Sequence, residues 1–371
     1  SYALLISMLS GCSQQNTVNQ TESEVSEAQM QENSENIETE KMQDTEKIQN
    51  TEKIQDTEKN ENREKLSPFE MHGALHVENG KLTDQHGDVV QLYGMSTHGI
   101  AWFPQYVNPD AFRTLRDDWN TNCIRLAMYT AEDGGYCSGG DKEQLKQLVK
   151  DGVSYATDLG MYVIVDWHIL SDGDPNQNKD EAIAFFKEMA ETFVNNDNVL
   201  YEICNEPNGG TSWESIKAYA EEIIPVIREK KPDAVILVGT PTWSQEIDKA
   251  AESPLEDKNV MYTLHFYAGT HKDDLRNRLE SYAQNGLPIF VSEFGMCDAS
   301  GNGANDFEST AKWLDLLNKY QISFMCWNLA NKDESSSVFR ANSTKISDWT
   351  EEDLSEAGQW IKAYFQNRSY Q

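Results

Sequence analysis

Residues 13 to 65 contain no aromatic residue, no glycine and few aliphatics, and they are crowded with Glu, Gln, Asn, Thr and Lys. So little apolar surface cannot offset the entropy of ordering the chain, which excludes a packed core there and predicts a disordered acidic linker. Every aromatic residue except Tyr2 lies beyond this stretch. About 300 residues are left to fold, a size suited to one large domain.

Positive charge is also scarce. Lys and Arg number 31 against 62 Asp and Glu, a formal net charge of −31. Without a basic patch, nucleic acid and an anionic membrane surface are excluded as partners of the folded part, and a neutral substrate fits better. The acidity itself reads as a solvated surface that keeps the protein soluble. The six cysteines show neither CxxC pairs nor metal-finger spacing. Three of them, Cys123, Cys204 and Cys326, sit inside apolar runs and read as buried thiols, not as a disulfide framework.

The opening "SYALLISMLSGCSQQ" carries an apolar run too short to span a membrane, ending in small residues directly before Cys12. It resembles a bacterial lipoprotein signal, with Leu9, Ser10 and Gly11 as the lipobox and Cys12 as the lipidated residue. That implies an extracellular protein held on the cell surface, with residues 1–12 as a partial signal, 13–65 as the linker and 66–371 as the folded domain. An initiator Met and a basic n-region are lacking, so the precursor would begin upstream. An ordinary secretory signal cut nearby is the alternative, and it too places the domain outside the cytoplasm.

Within the linker a six-residue repeat runs "TEKMQD", "TEKIQN", "TEKIQD". On a helix its single apolar residue, at Met42, Ile48 and Ile54, would step about 240° each time and form no continuous face. The repeat is therefore read as a solvated, partly helical tether and not as a coiled coil.

From Leu66 onward the texture changes. The runs 89–99, 121–130, 161–170, 199–207, 234–243, 260–269, 288–295 and 322–330 read as eight strands. Between most of them lie amphipathic segments such as "KEQLKQLVKDGVSYATDLG" and "WESIKAYAEEIIPVIREKKP". Near-continuous apolar strands alternating with helices predict a parallel sheet, and eight such units a closed (β/α)₈ TIM barrel of the α/β class. Ahead of it, "HVENGKLTDQHGDVV" predicts a short β-hairpin near the barrel's N-terminal end, serving structure more than chemistry.

In such a barrel the chemistry sits at the C-terminal ends of the strands. There the runs bring His98, Arg125, His168, Asn205 with Glu206, Trp243, His265 with Tyr267, Glu293 and Trp327. Glu206 and Glu293, at the ends of strands four and seven, face each other across the mouth. Such a pair can cleave a glycosidic bond, one carboxylic acid protonating the leaving oxygen while the other carboxylate attacks or activates water. Sugar rings present apolar faces, so aromatic platforms belong in the same cleft. No His and carboxylate spacing reads as a metal site, and the chemistry needs neither metal nor cofactor.

"DWHIL" on strand three, "NEP" on four, "HFYAGTH" on six and "SEFG" on seven, in this order along the chain, resemble a family-five glycoside hydrolase over about residues 68 to 368. The closer likeness is to its bacterial endo-1,4-β-glucanase branch. The resemblance implies Glu206 as general acid/base and Glu293 as nucleophile, with Arg125 and Tyr267 beside the nucleophile. It implies Asn205 on the sugar 2-hydroxyl, and His168 and His265 around the cleaved sugar and the acid. His98 matches similarly on the first strand. Trp327 would lie under the cleaved sugar, Trp102 on the non-reducing side, Trp243 on the leaving-group side and Lys332 further out. The implied partner is a β-glucan, taken by a monomer. Mannan, xylan and mixed-linkage glucan remain open as substrates, and a non-catalytic glycan receptor is the remote alternative.

Overall fold

The computed structural model describes residues 66–368 and, within the repeat, Met42, Thr45, Lys47, Ile48, Gln49, Thr51 and Lys53. Those seven residues are helical and exposed. Cys12 and the signal segment lie outside the described residues. No helix among the described residues is long and apolar enough to cross a membrane.

Strands β1 (His76–Glu78) and β2 (Lys81–Thr83) form the expected antiparallel hairpin. Asn79 and Gly80 turn it with φ of 51° and 73°, the left-handed pair that matches strand twist in a two-residue loop. Then follow β3 (Tyr93–Thr97), β4 (Cys123–Tyr129), β5 (Tyr162–His168), β6 (Val199–Glu202), β7 (Ile236–Val238), β8 (Val260–Thr263) with its continuation β9 (Phe266–Tyr267), β10 (Ile289–Gly295) and β11 (Phe324–Leu329). Each pairs in parallel with its neighbour, and β11 pairs with both β3 and β10, which closes the barrel. Helices lie between them. Lys142–Asp158 starts where the Asp141 carboxylate accepts from the Gln144 amide, and it buries Leu145, Val149, Val153 and Ala156 at helical spacing. Trp213–Arg228 is capped likewise by Ser212.

Alternation along the strands sorts the barrel interior into layers. Tyr162 and Ile164 of β5, Cys123 of β4 and Leu200 of β6 pack with Leu75, Leu82, Val90 and Leu92 from the hairpin region, sealing one end with an apolar plug. The outward residues Val163, Val165 and Trp167 join the larger core shared with the helices. Two residues above the plug, Arg125 and Asp166 turn inward, and above them stand Tyr129 and His168.

Three predicted strand boundaries need correction. The first barrel strand starts at Tyr93, not residue 89, because Val89 bridges to Thr83 and the Val90 amide donates to Leu82. The fifth run is regular only over Ile236–Val238. Trp243 lies beyond it in a turn where Thr242, Trp243 and Ser244 all have φ between 53° and 57°. The fourth strand leaves its regular ladder at Glu202, so Asn205 and Glu206 follow its end.

Candidate active site

The floor of the site is one cation among carboxylates. Arg125 is fully buried, its Nε and Nη2 donating to Glu202 Oε2 and Oε1 at 2.8 and 3.0 Å. Nη2 also reaches Asn205 Oδ1 at 2.7 Å and Asp166 Oδ2 at 3.0 Å, and Nη1 reaches Glu293 Oε1 at 2.9 Å. Glu202, four residues before Glu206, is thus a buried structural carboxylate paired with Arg125. Burial raises the Glu202 and Asp166 pKa values while Arg125 opposes it.

Glu293 comes inward through an irregularity. On β10, Val291 pairs with Phe324 and Phe294 with Cys326, so two residues, Ser292 and Glu293, stand opposite Met325 alone. Such a bulge breaks the alternation, and both side chains point into the barrel. Glu293 Oε2 accepts from the Tyr267 hydroxyl at 2.8 Å. Each carboxylate oxygen therefore has a donor, the arrangement that suits an anion. Burial and the two glutamates hold the Tyr267 pKa well above its ordinary value, so the hydroxyl keeps its proton.

Glu206 is set by the loops after β5, β6 and β7. The Asn205 amide donates to the Trp167 carbonyl, Ser244 Oγ donates to the Asn205 carbonyl at 2.7 Å, and Asn208 Nδ2 donates to the carbonyls of Glu206 and Leu170. Burial raises the Glu206 pKa to about 8, against the pull of Arg125 and with help from Asp166 and Glu202. Its Oε1 lies 2.9 Å from His265 Nδ1, and His265 Nε2 lies 2.7 Å from Ser292 Oγ. Burial lowers the His265 pKa to about 4, so this ring is neutral near pH 7.

An oxygen of Glu206, an oxygen of Glu293 and a nitrogen of His265 all lie within 4.8 Å of one another. Among the described residues this is the one cluster of His, Cys, Asp and Glu compact enough to hold a metal ion. A pair of carboxyl groups about 5 Å apart has room for a sugar carbon but none for an interposed water.

Of the residues expected here, ten line one cleft of about 580 Å³: His98, Trp102, His168, Glu206, Trp243, His265, Tyr267, Glu293, Trp327 and Lys332. Trp327 lies over His168 at 5.3 Å with the rings 14° apart. Trp102 and Trp243 are 38% and 47% exposed, far more open than Trp327 at 5%, as platforms for a long ligand would be. Lys332 pairs with Glu334 at 2.9 Å at the rim. Trp313 is packed against Phe266 in the core.

Arg125 and Asn205 lie below the cleft. Asn205 Nδ2 faces His168 Nε2 at 3.2 Å and donates to the Ile169 carbonyl at 2.9 Å, so a sugar hydroxyl would compete for donors already engaged. His168 Nδ1 is held by Asp166. Sequence reasoning missed Tyr129, whose ring sits 4.3 Å from His168 and 4.5 Å from Trp102. As the last residue of β4 it satisfied the strand-end rule better than Arg125, which stands four residues earlier. Glu132, Gln245, His271 and Glu334 on the following loops also line the cleft and had no strand-end signal.

The family model described as cellulase (glycosyl hydrolase family 5) matches residues 83–333. Endoglucanase A of Butyrivibrio fibrisolvens is 50% identical over 293 residues, covering 78% of this chain and 68% of that one. Endoglucanase 5 of Pectobacterium carotovorum subsp. carotovorum is 48% identical over 297 residues, 80% of this chain and 58% of that one. Among solved structures, the catalytic domain of Thermobifida fusca endoglucanase Cel5A in complex with cellotetraose superposes with a TM-score of 0.78 at 40% identity, covering 81% of this chain and 100% of that one. The chain spans 58 to 68% of the length of these two curated relatives, while the barrel alone accounts for the matched solved domain. Closed barrel, paired glutamates and sequence likeness agree, and the chain belongs to the cellulase family, glycosyl hydrolase family 5.

Proposed function

We propose that the protein is a retaining endoglucanase that cleaves internal β-1,4 bonds of cellulose and related β-glucans by double displacement. The observation that carries this reading is the approach of one Glu206 oxygen to within 4.8 Å of one Glu293 oxygen, which favours an acid and a nucleophile over an acid and a water-bearing base. In the first step Glu293 attacks the anomeric carbon. The bond to the leaving oxygen breaks with its electron pair, and that oxygen takes the proton of Glu206. In the second step water gives a proton to the Glu206 carboxylate and attacks the same carbon, releasing Glu293 as a carboxylate. Arg125 and Tyr267 bind the charge that leaves and returns to Glu293. The exposed Trp102 and Trp243 at the cleft support a substrate extending to both sides of the cleaved bond, and the endoglucanase names of the relatives, one of them in complex with cellotetraose, favour cellulose.

Release of reducing ends from soluble cellulose, mixed-linkage glucan, mannan and xylan tests the substrate. Preference for cellulose and mixed-linkage glucan is the expected result, and a strong preference for mannan contradicts it. We further propose that the domain is held on the cell surface through lipid on Cys12, with residues 13–65 as the tether. Palmitate labelling that disappears in Cys12→Ser supports the anchor, and equal labelling of both chains removes it.

A further inference from the structure

Ser292 is fully buried, the first of the two bulged residues on β10, and its Oγ is committed on both sides. It lies 2.7 Å from Glu202 Oε1 and 2.7 Å from His265 Nε2. Both Glu202 oxygens accept from Arg125, the geometry of an ionised carboxylate, so the single hydroxyl proton of Ser292 points at Glu202. Ser292 Oγ can then only accept from His265, and the proton on that ring must be at Nε2. A neutral imidazole carries one N–H, which leaves Nδ1 as a bare lone pair facing Glu206 Oε1 at 2.9 Å. The proton in that contact therefore belongs to Glu206.

We propose that Ser292 is a positioning residue that fixes His265 as its Nε2–H tautomer, so that the ring offers Glu206 an acceptor and favours its protonated form. The inference rests on the reading of Glu206 as the acid. Without the hydroxyl, His265 can turn its one proton to Nδ1 and donate to a Glu206 carboxylate, which favours the wrong ionisation state at the start of the cycle. The other charged or titratable groups acting on the ring are Glu293, Arg125, Glu202 and His168, and Ser292→Ala changes the identity of none of them. Low pKa supports the neutral ring, but the direction of the chain comes from the hydrogen-bond geometry.

The experiment reads two quantities on the whole protein. Nitrogen-15 NMR of histidine-labelled protein gives the tautomer of His265, assigned with His265→Gln, and the pH profile of kcat/KM on a soluble β-glucan gives the alkaline limb. In the native protein Nε2 carries the proton. In Ser292→Ala the Nδ1–H form appears and the alkaline limb moves down by about one pH unit; Ser292→Thr, which restores a hydroxyl, returns both to their native values. A native His265 protonated at Nδ1 overturns the proposal whatever the variants do. So does a folded Ser292→Ala with tautomer and limb unchanged. Failure of the native protein to hydrolyse any β-glucan strikes the functional reading instead, and the tautomer measurement stands apart from it.

Discussion

Ser292 and Glu293 are consecutive on β10, yet both side chains point into the barrel, because the pair stands opposite Met325 alone in the ladder with β11. Without that bulge, strict alternation would carry Ser292 inward with Phe290 and turn Glu293 out toward the helices. The position of Glu293 is thus a property of backbone register, and its partners are set by the same register.

Gly295 protects one of those partners. A Cβ at this position would sit 2.2 Å from Tyr267 Cε1, within the ring's own volume. Gly295→Ala should displace Tyr267, cost about 1–3 kcal/mol of stability and lower kcat with little change in KM. Tyr267→Phe should show the same kcat loss at near-native stability, about 10²-fold if the hydroxyl acts mainly in the transition state. Chemical denaturation with steady-state kinetics separates the two effects.

Arg125 answers for Asp166, Glu202 and Glu293 together. Arg125→Met leaves those buried carboxylates without their cation, and a loss of about 3–5 kcal/mol in urea unfolding is expected. Raising the acidity of the buffer should restore part of it, since protonation removes the unpaired charge. A variant as stable as the native protein at pH 7 would show that the cluster is already neutral.

The Glu206 carboxyl has a pKa near 8, above its ordinary 4.5. In its proposed role as general acid Glu206 works only while protonated, so kcat/KM should fall as pH rises through about 8. Stability has the same direction. Between those two values the native state holds a proton that the unfolded chain releases, so this contribution is complete below about 4.5 and is lost progressively as pH climbs to about 8. Thermal unfolding across that window should slope less in Glu206→Gln than in the native protein.

Trp243 is half-exposed in its left-handed turn, with its amide held by the Pro207 carbonyl at 2.8 Å. The backbone bond fixes the loop without the ring, so Trp243→Ala should leave folding intact. Loss of a sugar platform should raise KM for long oligosaccharides by roughly 3–10-fold, the equivalent of one aromatic contact. Short substrates that do not reach this side should be unaffected.

The pattern of eight apolar runs made the barrel legible, because it depends on alternation and chain order, and nearness to the C-terminal ends of those runs made Glu206, Glu293, His168 and Trp327 legible, although alternation alone would have turned Glu293 outward. The layers beneath were only partly so. Glu202 could be placed by counting back from Glu206, but its bond to Arg125 joins strands 77 residues apart, a relation that only closure of the barrel creates. Ser292 was hidden for a different reason: a bulge leaves no mark in the residue types of "IFVSEFG", and a serine beside Glu293 reads as filler. Trp243 was expected at a strand end and is carried instead by a turn, since β7 stops at Val238.

Mass spectrometry of the protein after reaction with a 2-deoxy-2-fluoro-cellobioside carrying a good leaving group tests the division of labour between the two glutamates most directly. The fluorine slows the second step, so a covalent glycosyl-enzyme should accumulate with its sugar on the peptide that contains Glu293. An adduct on Glu206, or turnover of the natural substrate with no adduct on either glutamate, would contradict the account.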